Sequence, residues 1–114
     1  SIEGFKLNIE ELKKKGNRIA GFGASAKGNT LLNCAGIDEN TLDWIADETP
    51  EKIGKFSSGT GVEVVRKDLI ESLNPDYVLI LSWNFSNEIM EKLNKIYKGK
   101  YLIAIPKLVC TYVV

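Results

Sequence analysis

The stretch GFGASAKGNTLLN, which begins at position 21, combines residue types that hold phosphate groups in proteins. Gly21 and Gly23 lack side chains, so the backbone there can adopt a positive φ and a ligand's oxygens can approach closely. Gly28 falls in the first turn of a predicted helix, where free N–H groups and the helix dipole favour an anion. Ser25 can donate a hydroxyl hydrogen bond, and Lys27 adds a positive charge. This glycine-rich turn therefore predicts a phosphate site.

A purely structural role for the same turn is also open. Its glycine spacing is longer than that of the dinucleotide-binding fingerprint, and it lacks the Gly-Lys-Ser/Thr ending of a P-loop. In the structural alternative, the glycines only form a tight corner between a strand and a helix. Ser25 then caps the helix and Lys27 is solvated.

Other candidate residues follow two more predicted strands. Asp47 ends the second strand, where dinucleotide-binding folds carry a ribose-binding acid, although it also fits a turn residue. Trp83 ends the fourth strand and Asn84 follows it, where an indole can stack on a ring and an amide can form hydrogen bonds. Packing of Trp83 in the core is the alternative. Between them, Lys52 and Lys55 belong to a polar, glycine-rich loop that fits either a flexible lid or a solvated surface segment.

Composition and charge narrow the function classes. The 114 residues are 44% hydrophobic, which is typical of one domain with a single core. Fifteen basic and fifteen acidic residues cancel, so neither nucleic acid nor a membrane surface is an expected partner. No apolar run approaches the roughly 18 residues of a membrane span.

The chain has no histidine, and its two cysteines, Cys34 and Cys110, lie far apart. Zinc sites and Ser-His or Cys-His nucleophile systems are therefore unsupported. Both cysteines are expected to be buried small hydrophobes, and a reducing, cytoplasmic location is the default. Because the chain begins with Ser1 on a charged helix, we expect residues 1–114 to be one domain of a longer protein.

Hydrophobic periodicity predicts helices that alternate with strands. The predicted helices cover residues 5–15, 26–35, 67–74 and 86–97, and the predicted strands cover 18–23, 42–47, 62–65, 76–83 and 100–106. Gly16 and Gly36 stand where C-capping glycines belong, and Pro75 closes the third helix.

This order of elements predicts an α/β fold. Strands that alternate with helices form a parallel sheet, and the apolar runs YVLIL and YLIAI fit strands buried on both faces. With right-handed crossovers, we expect a Rossmann-like, doubly wound, mostly parallel sheet of five strands in the order 3-2-1-4-5, with helices on both faces. Ligands of such sheets bind where the order reverses, here between strands 1 and 4. The glycine-rich turn and the residues after strand 4 flank that point.

Four blocks of the sequence resemble the C-terminal domain of the SAM-dependent sugar C-methyltransferase family. They are IAGFGASAKGNTLLNCAGI (19–37), WIADETPEKIGKFSSGT (44–60), PDYVLILSWNFSNEI (75–89) and the closing IP (105 and 106). The likeness covers nearly the whole chain. Members of this family have a zinc-binding N-terminal region, a SAM-binding middle domain, and a Rossmann-like C-terminal domain that helps to hold a nucleotide-linked keto-sugar.

The resemblance implies that this chain is the substrate-binding C-terminal domain of such a methyltransferase. It implies contacts with the sugar nucleotide, in particular its diphosphate, from Gly23, Ala24, Ser25, Ala26, Lys27 and Gly28. Catalytic residues, SAM and zinc would belong to other domains of the parent protein, so the chain alone is expected to be inactive. The SAM-binding domain is its expected partner.

Two functions from other classes stay open. If the chain is a free-standing module that binds a dinucleotide such as NAD, NAD should raise its melting temperature and UDP- or dTDP-sugars should not. If it is an interaction domain with an empty crevice, neither kind of ligand should raise the melting temperature.

Overall fold

A computed structural model describes residues 2–104, and the side chains of residues 4–104. Within this range the strands are β1 (Ile19–Phe22), β2 (Ile45–Asp47), β3 (Val64–Arg66), β4 (Tyr77–Ile80) and β5 (Lys100–Ile103). The α-helices are α1 (Ile2–Lys14), α2 (Ala26–Ala35), α3 (Leu69–Leu73) and α4 (Ser86–Leu93). Short 3-10 helices cover Pro50–Lys52 and Trp83–Phe85.

The strands form one parallel sheet in the order β3-β2-β1-β4-β5, as the sequence predicts. The central strand β1 pairs with β2 on one side, where Gly21 lies opposite Ile45, and with β4 on the other, where Gly21 lies opposite Leu79. The carboxyl ends of these three strands meet at one edge, so the loops that follow them come together there.

Helices cover both faces of the sheet, which confirms the doubly wound prediction. Successive strand residues point to opposite faces. Ile19, Ile45 and Leu79 therefore pack against α1 and α2, through Ile9, Leu31 and Leu32. Phe22, Ala46 and Val78 pack on the other face against α3 and α4, through Ile70 and Leu93.

The boundaries of α2 were predicted correctly, because its signals are local. Ser25 is the N-cap, and Gly36 ends the helix with a φ of 71°. Other boundaries differ. The second strand is Ile45–Asp47 and not 42–47, since the N–H groups of Thr41 and Leu42 bond to the carbonyl of Asp38 in a turn that includes the start of the predicted strand.

The remaining differences also have local causes. The third strand begins at Val64 because Val62 pairs with Ser57 in a hairpin instead. The strand predicted over 76–83 ends at Ile80, and its last residue, Trp83, begins a 3-10 helix. The helix predicted over 86–97 ends at Leu93, and the one predicted over 5–15 begins at Ile2. Ile105 and Pro106, at the end of the fifth predicted strand, lie outside the described residues.

The prediction for Cys34 was wrong in part. Its side chain packs against the core on the α1–α2 face, but it is only partly buried. Cys110 lies outside the described residues. In residues 2–104, His, Cys, Asp and Glu side chains form no group of three that could hold a metal ion. None of the helices in that range is long and apolar enough to cross a membrane.

Candidate functional site

Cavities open at the carboxyl edge of the sheet, around the glycine-rich turn. The hairpin cavity, about 340 Å³, is lined by residues 24–26 and 55–57 among others. The α4 cavity, about 330 Å³, lies between residues 47–49 and α4. The tryptophan cavity, about 250 Å³, is lined by Lys27 and residues 81–85, with Ser25. The turn therefore borders each of these spaces.

Gly23 brings the loops after β1 and β4 into contact. Its φ is +99°, in the left-handed region that favours glycine. A Cβ at this position would lie 2.9 Å from Ser82 Oγ, so no larger residue fits without a shift. The Gly23 N–H donates to the carbonyl of Ala46, 2.9 Å away, and continues the β1–β2 hydrogen bonds. The sequence thus needs glycine here for both backbone conformation and space.

Gly28 is buried behind the turn. A Cβ there would lie 2.8 Å from Leu81 Cβ, so the glycine lets α2 pack directly against the end of β4. Its N–H donates to Ser25 Oγ at 3.0 Å, and Ser25 therefore caps the helix, as the structural alternative predicts. The first N–H groups of the helix, on Ala26 and Lys27, have no acceptor within it. Both residues are exposed, so a ligand can reach this end of α2.

Asp47 ties the glycine-rich turn to the loop after β2. Its Oδ2 accepts the N–H of Ala24 and its Oδ1 accepts the N–H of Thr49, each at 2.7 Å. The residue is 8% exposed. Burial by itself raises the pKa of Asp47, but the hydrogen bonds from Thr49 and Ala24 and the charge of Lys52 outweigh it. The pKa of Asp47 therefore lies below its ordinary value of 3.8.

Lys52 holds the same turn from the opposite side. Its Nζ donates to the carbonyl oxygen of Ala24 at 2.7 Å. Both backbone polar groups of Ala24 are thus fixed, one by the Asp47 carboxylate and the other by the Lys52 ammonium. The sequence offered only a lid or a solvated loop for this lysine, and its polar, glycine-rich context could not indicate the contact.

Trp83 and Phe85 extend from the 3-10 helix after β4 into solvent. Trp83 is 37% exposed and Phe85 57%, so the core alternative for Trp83 is wrong. Trp83 and Asn84 share the tryptophan cavity with Lys27 and Ser25. The structure therefore brings four of the predicted site residues to one cavity.

The segment predicted as a lid or a solvated loop contains a hairpin. Gly54 donates to the Val64 carbonyl and Val64 donates to the Lys55 carbonyl, each at 2.8 Å. Phe56 and Glu63 form an antiparallel bridge. These bonds continue the sheet beyond β3 and place Lys55 and Phe56 at the mouth of the hairpin cavity.

The tip of the hairpin is fastened to α2. The Ser57 hydroxyl donates to the side-chain oxygen of Asn29, and Asn33 Nδ2 donates to the Ser58 carbonyl at 3.0 Å. Sequence reasoning missed Asn29 and Phe56 as cavity-lining residues. The only sequence signal for this contact was the pair of asparagines at 29 and 33, which lie one helical turn apart on the same face of α2.

Of the predicted site residues, Gly23 and Asp47 line the α4 cavity, whereas Ala24 and Ala26 line the hairpin cavity. Ser25 lines both the hairpin and tryptophan cavities. Gly28 lines none of these three cavities; it is buried behind the turn, against Leu81. The arrangement offers exposed helix N–H groups, a lysine and aromatic side chains along one edge, which suits an elongated ligand with a charged centre.

Comparison with known proteins shows similarity to C-methyltransferases. The sequence profile of the C-methyltransferase C-terminal domain matches residues 4–106. C-methyltransferase NovU from Streptomyces niveus is 30% identical over an alignment of 111 residues, which covers 92% of this chain and 26% of that protein. The chain thus spans about a quarter of the length of this curated relative.

Proposed function

This chain belongs to the C-methyltransferase C-terminal domain family, and we propose that it holds a nucleotide-linked keto-sugar for methylation elsewhere in a longer parent protein. Residues 1–114 would then be one domain of that protein, next to a SAM-binding domain. SAM supplies the methyl group in such a reaction, and a zinc site in the parent protein is part of the same proposal. No catalytic residue is assigned to this chain.

The observation that carries this proposal is that two neighbouring cavities share lining residues at the start of α2. Ser25 and Leu81 line both the hairpin cavity and the tryptophan cavity. A ligand that crosses this point has its centre beside the exposed N–H groups of Ala26 and Lys27 and beside the Lys27 ammonium. A diphosphate fits these donors and charges, with a different group on either side.

The contribution of the chain to the reaction is binding and orientation. Methylation at a carbon next to a ketone requires removal of a proton, after which the enolate carbon attacks the methyl group. Fixing the sugar relative to the reacting groups lowers the entropic part of the barrier. The turn suits this task because Asp47 and Lys52 hold Ala24 rigidly.

Asp47 argues against the dinucleotide alternative. A ribose-binding acid must present its carboxylate to the ligand, whereas Asp47 is only 8% exposed and each of its oxygens already accepts a backbone N–H at 2.7 Å. Its contribution to the site is then to position the turn, and direct contact with substrate stays a prediction.

Titration of the chain with UDP-glucose, dTDP-glucose and NAD tests the proposal. We expect the sugar nucleotides to bind with dissociation constants on the order of 0.1–1 mM, or about 4–5.5 kcal/mol, because the site is open to solvent. Backbone NMR shifts should include residues 22–28 and 82–85. Shifts confined to residues 48–61, or a response to NAD alone, would contradict it.

Lys27→Ala tests whether this lysine contributes to the binding of sugar nucleotides. We expect a 3- to 30-fold weaker affinity for the sugar nucleotides, with an unchanged melting temperature, because Lys27 is exposed and a charge-assisted contact contributes roughly 1.5–3 kcal/mol at most. The loss should shrink as salt rises. Lys14→Ala is the control, because this exposed lysine lies just before β1, at the opposite edge of the sheet. Equal affinities for both variants at low salt would show that the turn is only structural.

We expect the purified chain to transfer no methyl group from labelled SAM to a keto-sugar nucleotide. Its full sequence has no histidine, and the three cavities at the carboxyl edge of the sheet border one glycine-rich turn, where the proposed substrate binds. Incorporation of label above a no-protein blank would assign catalysis to this chain.

A further inference from the structure

The hairpin cavity has an apolar floor and an aromatic side chain at its mouth. Ile45, Val64 and Leu81, each at most 3% exposed, form the floor. Phe56 lines the same cavity and is 66% exposed, the largest exposed fraction among the large hydrophobic side chains of the described residues. An aromatic ring that is both exposed and beside an apolar cavity has an open face on which a flat ring can stack.

The backbone on both sides of Phe56 is fixed. Lys55 accepts a hydrogen bond from Val64 at 2.8 Å, and Ser57 donates one to Val62 at 2.7 Å. Ser57 is also bonded through its side chain to Asn29 of α2. The ring is therefore presented by a hairpin that is held at both strands and at its tip, so that little ordering would be needed on binding.

The two cavities that meet at Ser25 differ in chemistry. The tryptophan cavity includes Lys27, Ser82 and Asn84, whose polar groups suit the hydroxyls of a sugar. The hairpin cavity has the apolar floor and Phe56, which suit a flat ring with apolar faces. Lys55 lies at the same mouth and adds positive charge near the phosphates.

We infer that the hairpin cavity binds the nucleoside base of the substrate, with the base stacked on Phe56. This inference rests on the proposed function, and it gives the ligand a direction. The base lies toward β3 and its hairpin, the diphosphate crosses the start of α2, and the sugar points toward Trp83 and Asn84.

Binding of dTDP, UDP and inorganic pyrophosphate to the unchanged chain and to Phe56→Leu tests the inference. Leucine keeps an apolar side chain but removes the ring, and Phe56 is exposed, so the variant should keep its melting temperature. We expect affinity for dTDP or UDP to fall about 5- to 30-fold, in keeping with the loss of base stacking, while affinity for pyrophosphate is unchanged. Leu7→Ala is the control, because Leu7 is 63% exposed on α1 and lines none of these cavities. Phe85→Leu tests the opposite placement of the base, because Phe85 is also exposed but lies on the side of the tryptophan and α4 cavities.

The remaining outcomes separate the inference from the proposed function. If the unchanged chain prefers dTDP or UDP to pyrophosphate and Phe56→Leu keeps that preference, the inference is overturned and the proposed function stands. If Phe85→Leu abolishes the preference instead, the base lies in the tryptophan or α4 cavity and the inference is overturned as well. If the unchanged chain binds neither nucleotide nor pyrophosphate, the proposed function fails and the inference falls with it.

Discussion

Gly23→Val is expected to destabilise the chain by about 2–4 kcal/mol and to abolish measurable binding of sugar nucleotides. The φ of +99° costs a β-branched residue on the order of 1–3 kcal/mol. Contact of the new Cβ with Ser82 Oγ, 2.9 Å away, adds an overpacking cost of about 1 kcal/mol or more. The affinity is lost because relief of that contact moves the turn and the loop after β4 apart.

Melting temperature and affinity should be measured together for this variant. A loss of that size lowers the melting temperature by roughly 8 °C or more in a domain of this length. Gly16→Val is the control, because Gly16 also has a positive φ, +89°, but no atom lies within 4 Å of its Cβ position. It should lose stability through backbone strain and keep the affinity for ligand. Normal affinity in folded Gly23→Val would show that the turn does not form the site.

Asp47→Ala is expected to destabilise the chain by about 2–4 kcal/mol at pH 7. The N–H groups of Ala24 and Thr49 would lose a charged acceptor, and hydrogen bonds to charged groups contribute about 1.5–3 kcal/mol each before water replaces them. Sugar-nucleotide affinity should fall too, because Ala24 is then held only by Lys52.

The pH dependence of this loss follows from the lowered pKa of Asp47. A carboxyl whose folded pKa is below its ordinary 3.8 stabilises the fold above that pH, and the stabilisation disappears as the pH falls through the folded value. Denaturant unfolding should therefore show the largest difference from the unchanged chain near pH 7, and a smaller one below about pH 3.8.

Asp68→Ala is the control for the removal of an acid. The Asp68 carboxylate forms only an exposed ion pair with Arg66, with both side chains about two-thirds exposed, so the variant should stay within about 0.5 kcal/mol. Equal destabilisation by the two substitutions, or a difference at Asp47 that grows as the pH falls, would show that Asp47 does not hold the turn as a carboxylate.

The fold could largely be predicted from the sequence, because its signals are local or follow from connection rules. Ser25 and Gly36 mark the two ends of α2 through their own backbone preferences. The strand order follows from alternating helices and strands with right-handed crossovers. Strand ends were less predictable, because an apolar run does not show where its backbone leaves the sheet, as at Trp83.

The sequence by itself determined a five-stranded sheet with a glycine-rich turn at its point of reversal, since glycine is needed where φ is positive and space is short. Only the tertiary structure decided what holds that turn and what surrounds it. Asp47 and Lys52 bond to Ala24 across 23 and 28 residues of chain, and Ser57 bonds to Asn29 across 28. Such contacts have no periodicity to detect, because they form only when the parallel sheet brings its carboxyl ends to one edge.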